Sequence, residues 1–490
     1  MILSHTIDVE DTVIQAAYSD IVMVASNAPN NVVVLPDFKY GVRVYVFSSD
    51  DQNSSFNSGP KAILKSPILS DRKAIFRIED AIQDFTKTDA EGYAQESTDG
   101  TLVTSTKNDL DMFSDNHSIH VIDKYSRNKQ NLVHVFVLPF YEYRETSTSD
   151  LTTVNVLGQL KNFFCFNSVT QHNIKKRGGT FLFEDYILNG DVDKFLTKFD
   201  DNTTFAKAQK IRSNDYHTIG FINGFYKRNN NNFDIGSYGS RIDYIRIQCF
   251  QADGSASNQF NVTNNDANGG AAGETIQSQF IDESTNVEKG LLYFGCGTQN
   301  IANSGLDINA FGFITKYYSI QSFMEGTGDS PDTPTSKLHM FEIVEDDCAG
   351  YETIRLAFLN SLGAYDYYNF TKKSTKSTAI KRSPFKQRYG TVANDDAFFY
   401  SQGTYEGGTR TFNVNAVQTI ECNTDFINAQ DCEILEELFI SPSVFMQDGD
   451  DFVPVVILDT EYITQTDAND KLKQYILTIE KAHNTRVQRL

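Results

Sequence analysis

Residue types that can ligate a metal or move a proton gather in four places along this chain, and in each the spacing falls short of the chemistry. His117 and His120 stand three apart in SDNHSIHVID. On a strand that separation sends them to opposite faces, so they would not share a metal. Asn264, Asp266, Asn268 and Gly269 begin like a calcium loop, but the twelfth position, where a bidentate Glu belongs, is Thr275, with Glu274 one residue early. Glu345-Asp-Asp347 and Asp448-Gly-Asp450 are acids adjacent in turns, whereas a glycosidase holds two carboxyls about 5–10 Å apart across a cleft. Gly295-Cys-Gly-Thr-Gln-Asn300 begins like a dinucleotide loop, lacks the third glycine, and reads as a strand-end turn with no helix after it. Neither GxxxxGK[ST] nor HExxH nor GxSxG occurs. The expectation is a protein that is not an enzyme, with no catalytic residue, cofactor or metal; the enzymatic alternative is a polysaccharide depolymerase with no local signature.

The positioning elements read as mainly β. Short alternating segments are split by Asn, Asp, Gly and Ser clusters, the texture of antiparallel sheets. In Tyr40–Phe47, Tyr40, Val42, Val44 and Val46 share one face; Val133, Val135 and Val137 alternate likewise before Pro139. Tyr244–Phe250 repeats the device with QADGS as its turn, and KLHMFEIV (337–344) and KLKQYILTI (471–479) are further strands. Helices are few: one or two turns within FRIEDAIQDF (76–85), and a longer one over 428–440. In the latter Asn428 caps, Asp431 and Glu433 suit the positive end, Ile434, Leu435, Leu438 and Phe439 form the apolar stripe, and Ser441-Pro442 stops it. Three polar stretches, 227–240, 251–274 and 325–336, read as long surface loops. The predicted architecture is several β-sandwich or β-barrel modules: an N-terminal sandwich over 1–147, a middle region over 148–370 carrying the loops, and a C-terminal β-barrel-plus-helix module over 371–490.

Composition narrows the partners. The 490 residues carry 43 basic and 64 acidic side chains, a net charge of −21 that repels a phosphate backbone, so no nucleic-acid partner is expected. The strongest apolar run, Phe452–Leu458, has the length of a strand, so no membrane insertion is expected. The N-terminus lacks a basic, apolar leader, which predicts synthesis in a cytoplasm. Six cysteines stand singly and read as reduced, mostly buried thiols.

Against the acidic background, Lys372, Lys373, Lys376, Lys381, Arg382, Lys386 and Arg388 crowd into Thr371–Gly390. Such a segment is either a solvated linker or a docking surface for an acidic partner, most economically another copy of the chain. Just before it, Arg355–Phe370 packs rings into RLAFLNSLGAYDYYNF. A strand, a turn at Asn360–Gly363 and a return strand put Tyr365 and Tyr367 on one face and Tyr368 and Phe370 on the other, so both faces want cover. These three tyrosines join the basic residues as the candidate assembly interface. The alternative site, for a host-surface glycan, is Tyr238, Phe260 and Tyr405 on loops, with rings to stack on sugars.

The segment C-x-x-Y-x-x-I-R-L-x-F-L-N-x-x-G-x-Y-D-Y, Cys348 to Tyr367, resembles a recurring segment of large structural proteins of tailed bacteriophages, especially those of Bacteroidetes and marine hosts. GVRVYVFSSDDQ with Ile63–Phe85 resembles their opening β-sandwich; Asp193–Asp201 and Asp215–Gly224 resemble their middle segment; Ile434–Tyr462 resembles their closing module. The absence of tryptophan near Tyr-Asp-Tyr and the Asn/Gly-rich insertions are departures. The resemblance implies a virion component of the tail tip, baseplate or fibre-attachment region, whose partners are other copies of itself and other tail proteins. The order of its last elements is similar to the ring-forming β-barrel-plus-helix unit of tail-tube and distal-tail proteins.

Overall fold

A computed structural model of the chain describes residues 2–6, 14–48, 59–69, 71–86, 132–157, 160–169, 183–188, 190–199, 202–223, 242, 244–263, 291–303, 306–309, 312, 314–326, 330–345, 350–387, 390–392, 400–401, 403–404, 407–427, 429–449, 451–459, 461 and 473–483. They form two compact units, one of Met1–Glu345 with Leu359–Asp366, the other of Asp346–Phe358 with Tyr367–Leu490. The fold is mainly β, as the alternation predicts, and among the described residues no helix is long and apolar enough to cross a membrane.

In the first unit, one sheet runs in the order Ile14–Ala16, Lys161–Phe166, Leu132–Tyr143, Lys39–Ser48, Ala62–Ser66, with Thr152–Asn155 also paired to Leu132–Tyr143. A second sheet has the order Ile2–Thr6, Val22–Ser26, Ala74–Arg77. Met23, Ala25, Ala74 and Phe76 from the small sheet share a core with Tyr40, Val42, Val44, Val46 and Val133, Val135, Val137 from the large one, which makes a β-sandwich. The opposite face of Lys39–Ser48 is covered too, where Tyr45 and Phe47 join Leu138. Pro139 falls where the partner on one side of its strand changes from Lys161–Phe166 to Thr152–Asn155, a break in the ladder that suits a residue with no N–H. FRIEDAIQDF forms the end of a strand and one helical turn, Asp80–Gln83, which buries Ile82.

The same unit holds a second pair of sheets: Gln209–Ile211, His339–Ile343, Tyr317–Met324, Tyr244–Phe250, Ala256–Thr263 in one, with Thr333–Pro334 paired to Tyr317–Met324, and Ile187–Leu188, Thr218–Asn223, Leu291–Gly295 in the other. Ile245, Ile247, Tyr318, Ile320 and Phe341 pack with Ile219, Phe221 and Phe294 in one core. Two expected loops are corrected here. Of 251–274 the described part, 251–263, is a turn and a strand: Gly254 (φ +83°) closes the turn and Ala256–Thr263 returns paired with Tyr244–Phe250, while 264–274 lie outside the described residues. Asn258 and Val262 turn inward along that strand and are buried, the former donating to the Ile308 carbonyl at 3.3 Å; an amide in the buried row disguises the alternation. Within 325–336, Thr335 and Ser336 are buried, because their hydroxyls and backbone bond Ser322 at 2.7–2.9 Å. The stretch 227–240 lies outside the described residues.

The aromatic stretch is a hairpin whose turn is tied into the first unit. Asn360 N–H donates to the Ala364 carbonyl at 2.8 Å, and the Asn360 side chain accepts from the N–H groups of Leu362 and Ala364. The buried Asp366 carboxylate accepts from Asn360 Nδ2 (2.8 Å), Lys198 N–H (2.9 Å) and the Thr197 hydroxyl (2.5 Å).

The second unit is built on a sheet in the order Tyr365–Phe370, Ile354–Leu359, Val444–Asp448, Asp451–Ile457, Ile476–Lys481, Thr409–Asn423, Thr375–Lys386. The register puts Leu356, Phe358, Val444, Met446, Val455, Leu477, Ile479, Ile420 and Cys422 on one face, all buried. The predicted helix is present as Ala429–Ile440, with Ile434, Leu435 and Leu438 buried and Asp431 in its first turn; Asn428 lies outside the described residues.

Candidate assembly surface

The basic segment is a strand. Thr375–Lys386 runs twelve residues, every one of them exposed, and pairs with Thr409–Asn423 from Thr375↔Glu421 to Lys386↔Thr409. Thr409–Asn423 has its other neighbour, Ile476–Lys481, only over Thr419–Asn423. From Thr378 to Lys386 and from Thr409 to Gln418 the two strands therefore form a ribbon with only each other for backbone pairing among the described residues. Thr, Ile, Val and Phe favour the extended backbone. Pro384 sits at the register shift beside Ser383, where Phe412 is the additional residue of the opposite strand: a β-bulge, a place where a residue without N–H is accommodated.

The ribbon divides the predicted cations into two groups. At its base two of them are satisfied locally: Lys372 pairs with Asp425 (3.1 Å) and Lys376 with Glu352 (2.6 Å), while at Lys373 it is the backbone carbonyl that accepts from Asn423, at 2.7 Å. Farther along, Lys381, Arg382 and Lys386 have no carboxylate within ion-pair distance among the described residues. Sequence reading missed the opposite strand, which adds Arg410 across from Phe385 and sets Phe412 against it, ring centres 6.2 Å apart. Its signal, Thr, Phe, Val and Ile recurring through TRTFNVNAVQTI, was available.

The tyrosines part company with the basic residues. Tyr365 and Tyr367 are only 2% exposed, and Tyr368 is half-buried with burial pushing its hydroxyl pKa up. The first two offer a neighbouring molecule no surface, which removes them from the interface: rings on both faces of the strand are covered within the chain. Phe260 is likewise half-buried against the core. Arg388, Tyr238 and Tyr405 lie outside the described residues, as do His117, His120 and 264–275.

The glycine-rich turn needs a correction of its own. A six-residue helix, Thr298–Asn303, does follow Gly295-Cys-Gly297. Asn300 Oδ1 accepts from the N–H groups of His217 (2.9 Å) and Gly297 (3.1 Å), so the turn is closed on protein. A Cβ on Gly297 would stand 2.4 Å from the His217 nitrogen and 2.5 Å from the Asp215 carbonyl, which explains the glycine by packing. Among the described residues no group of three or more His, Cys, Asp or Glu side chains is placed to hold a metal ion. Of the acid pairs, Asp448 is exposed and pairs with Lys481 at 3.2 Å. No family model matches this chain, and no curated protein matches it.

Proposed function

We propose that this chain is a structural subunit of a tailed-bacteriophage virion, a tail or baseplate hub or adaptor that works by assembling with copies of itself and with other tail proteins and performs no catalysis. The observation that carries the reading is the ribbon. A strand exposed along its whole length, holding three cations with no carboxylate partner among the described residues, belongs to a chain of net charge −21. A two-stranded ribbon buries little by itself, and its charge is matched by the surface of its own kind. The resemblance of Cys348–Tyr367 and of the opening and closing segments to phage structural proteins supplies the virion context.

The test is the composition of purified particles together with the mass of the isolated protein. The chain is expected in particles at fixed stoichiometry and above monomer mass in mass photometry. Charge reversal at Lys381, Arg382 and Lys386 is expected to lower incorporation with little change in unfolding midpoint. A monodisperse monomer absent from purified particles overturns the proposal.

A further inference from the structure

The same sheet carries a second unusual surface. Val456, Leu458 and Ile476 are 53%, 42% and 56% exposed. They share one face, since Val456 lies opposite Glu480, Leu458 N–H donates to the Thr478 carbonyl, and Ile476 is two residues further along. The buried Val455, Leu477 and Ile479 point to the other side. Glu480 and Glu421 stand on the exposed face with the patch, because Glu421 is opposite Thr478.

Register extends that face into the ribbon. Glu421 is opposite Thr375, and Lys381 and Phe385 have the same parity as Thr375 along an unbulged strand. Arg410 is opposite Phe385, and Phe412 makes an edge contact with its ring. One face of this unit therefore holds two rings with Arg410 at the ribbon's end and Lys381 midway along it, the rings 38% and 53% exposed, and an apolar patch with two carboxylates on the sheet.

Resting on the reading that copies of the chain assemble, we infer that two copies meet face to face about a two-fold axis, with Phe385 and Phe412 of each seated on Val456, Leu458 and Ile476 of the other. Two complementary features on one face of one chain are the requirement of an isologous contact: each is satisfied at once when a second copy turns its face over. Charge agrees, since Lys381 and Arg410 then approach the partner's Glu421 and Glu480. The contact uses side chains rather than strand addition. Thr375–Lys386, at the edge of its sheet among the described residues, carries Lys376, Lys381, Arg382, Lys386 and Pro384, residue types that discourage edge pairing.

The experiment uses the full chain in sedimentation velocity, with Phe412→Asp and Val456→Asp, and a mixture of Phe412→Cys with Val456→Cys under mild oxidation. Wild type is expected to form a dimer, alone or as the unit of larger species, that weakens as salt rises. Each Asp variant should weaken it about thirtyfold. Both positions are exposed, so circular dichroism and unfolding midpoints should match wild type. The mixed cysteine variants should form a disulfide-linked heterodimer in larger yield than either variant alone or wild type. If wild type assembles but the Asp variants assemble equally and no 412–456 link forms, this contact is wrong while the assembly reading stands. If wild type is monomeric at every concentration and salt, both fall. If association requires added heparin and is lost on charge reversal at Lys381 and Arg382, the ribbon serves a polyanion and the second-copy contact is overturned.

Discussion

The Arg355 guanidinium lies 4.8 Å from the centre of the Tyr367 ring and donates from Nη1 to Asn369 Oδ1 at 2.9 Å. Arg355 is among the most completely buried large side chains of the chain. The three residues sit on adjacent strands, Ile354–Leu359 and Tyr365–Phe370, so one cation organises the ring-rich hairpin.

Arg355→Ala should destabilise the protein by about 2–4 kcal/mol, because it removes a buried, stacked, hydrogen-bonded group and leaves the half-buried Asn369 Oδ1 without this donor. Arg355→Lys should recover only part of this, since an ammonium lacks the planar fork that stacks and bonds together. Urea unfolding checks both; an unchanged midpoint for the alanine variant would show that the guanidinium contributes nothing.

Gly363 sets the turn of the same hairpin with φ +85°, and a Cβ there would come 2.5 Å from the Asn167 carbonyl oxygen and 3.0 Å from the Phe166 ring. Gly363→Ala therefore meets both an unfavourable backbone region and an immovable backbone atom, at a cost of about 2 kcal/mol or more. A thermal shift should show a clear fall in midpoint, whereas Gly449→Ala, at φ +68° with nothing within 4 Å, should show a smaller one.

How much of this was legible depends on whether a strand's alternation survives in its side chains. Tyr40, Val42, Val44 and Val46 announced a buried face because all four are apolar, and the helix over Ala429–Ile440 declared itself by its stripe. Ala256–Thr263 escaped because its inward row begins with Asn258, whose amide is satisfied by a carbonyl distant in sequence. Thr375–Lys386 escaped for a different reason: all its positions are exposed, so no face is apolar and only pairing with Thr409–Asn423 makes it a strand. The candidate surface was half legible. Seven cations in one segment are visible in sequence, but that Lys372 and Lys376 are ion-paired, while Lys381, Arg382 and Lys386 have no carboxylate partner among the described residues, depends on Glu352 and Asp425, contacts no local pattern contains.

The cysteines give a chemical readout of packing. Cys165, Cys249, Cys296, Cys422 and Cys432 are free and buried, and burial pushes the Cys249 thiol up to about 11 and the Cys422 thiol up to about 12. The thiolate is the reactive form, so at neutral pH ionisation as well as access protects Cys165, Cys249 and Cys422, and burial restricts access to all five. Brief alkylation of the native protein followed by peptide mapping should leave all five unmodified, and the same treatment in denaturant should label each. Fast native labelling of any of them would mean that its sheet opens readily.

Two histidines of the first unit should make its stability depend on acid. Burial lowers His339 to about 3, in contact with Gln209 Oε1 at 3.1 Å, and lowers His134 to about 3 where its ring stacks on Phe164 at 4.4 Å. In the unfolded chain both titrate near the ordinary 6.5. Above that value the rings are neutral in both states and their contribution does not change with pH. Between 6.5 and about 3 the unfolded state takes up protons that the folded state refuses, so stability falls with pH by up to about 1.4 kcal/mol per unit for each histidine. Below about 3 both states are protonated and the fall stops. Carboxylates titrate in the lower part of this window, so the diagnostic is a difference: His339→Gln should unfold with a shallower dependence between pH 6.5 and 5 than wild type, by the share of one proton. Equal slopes in urea midpoints would mean that His339 is protonated as readily in the folded protein as outside it.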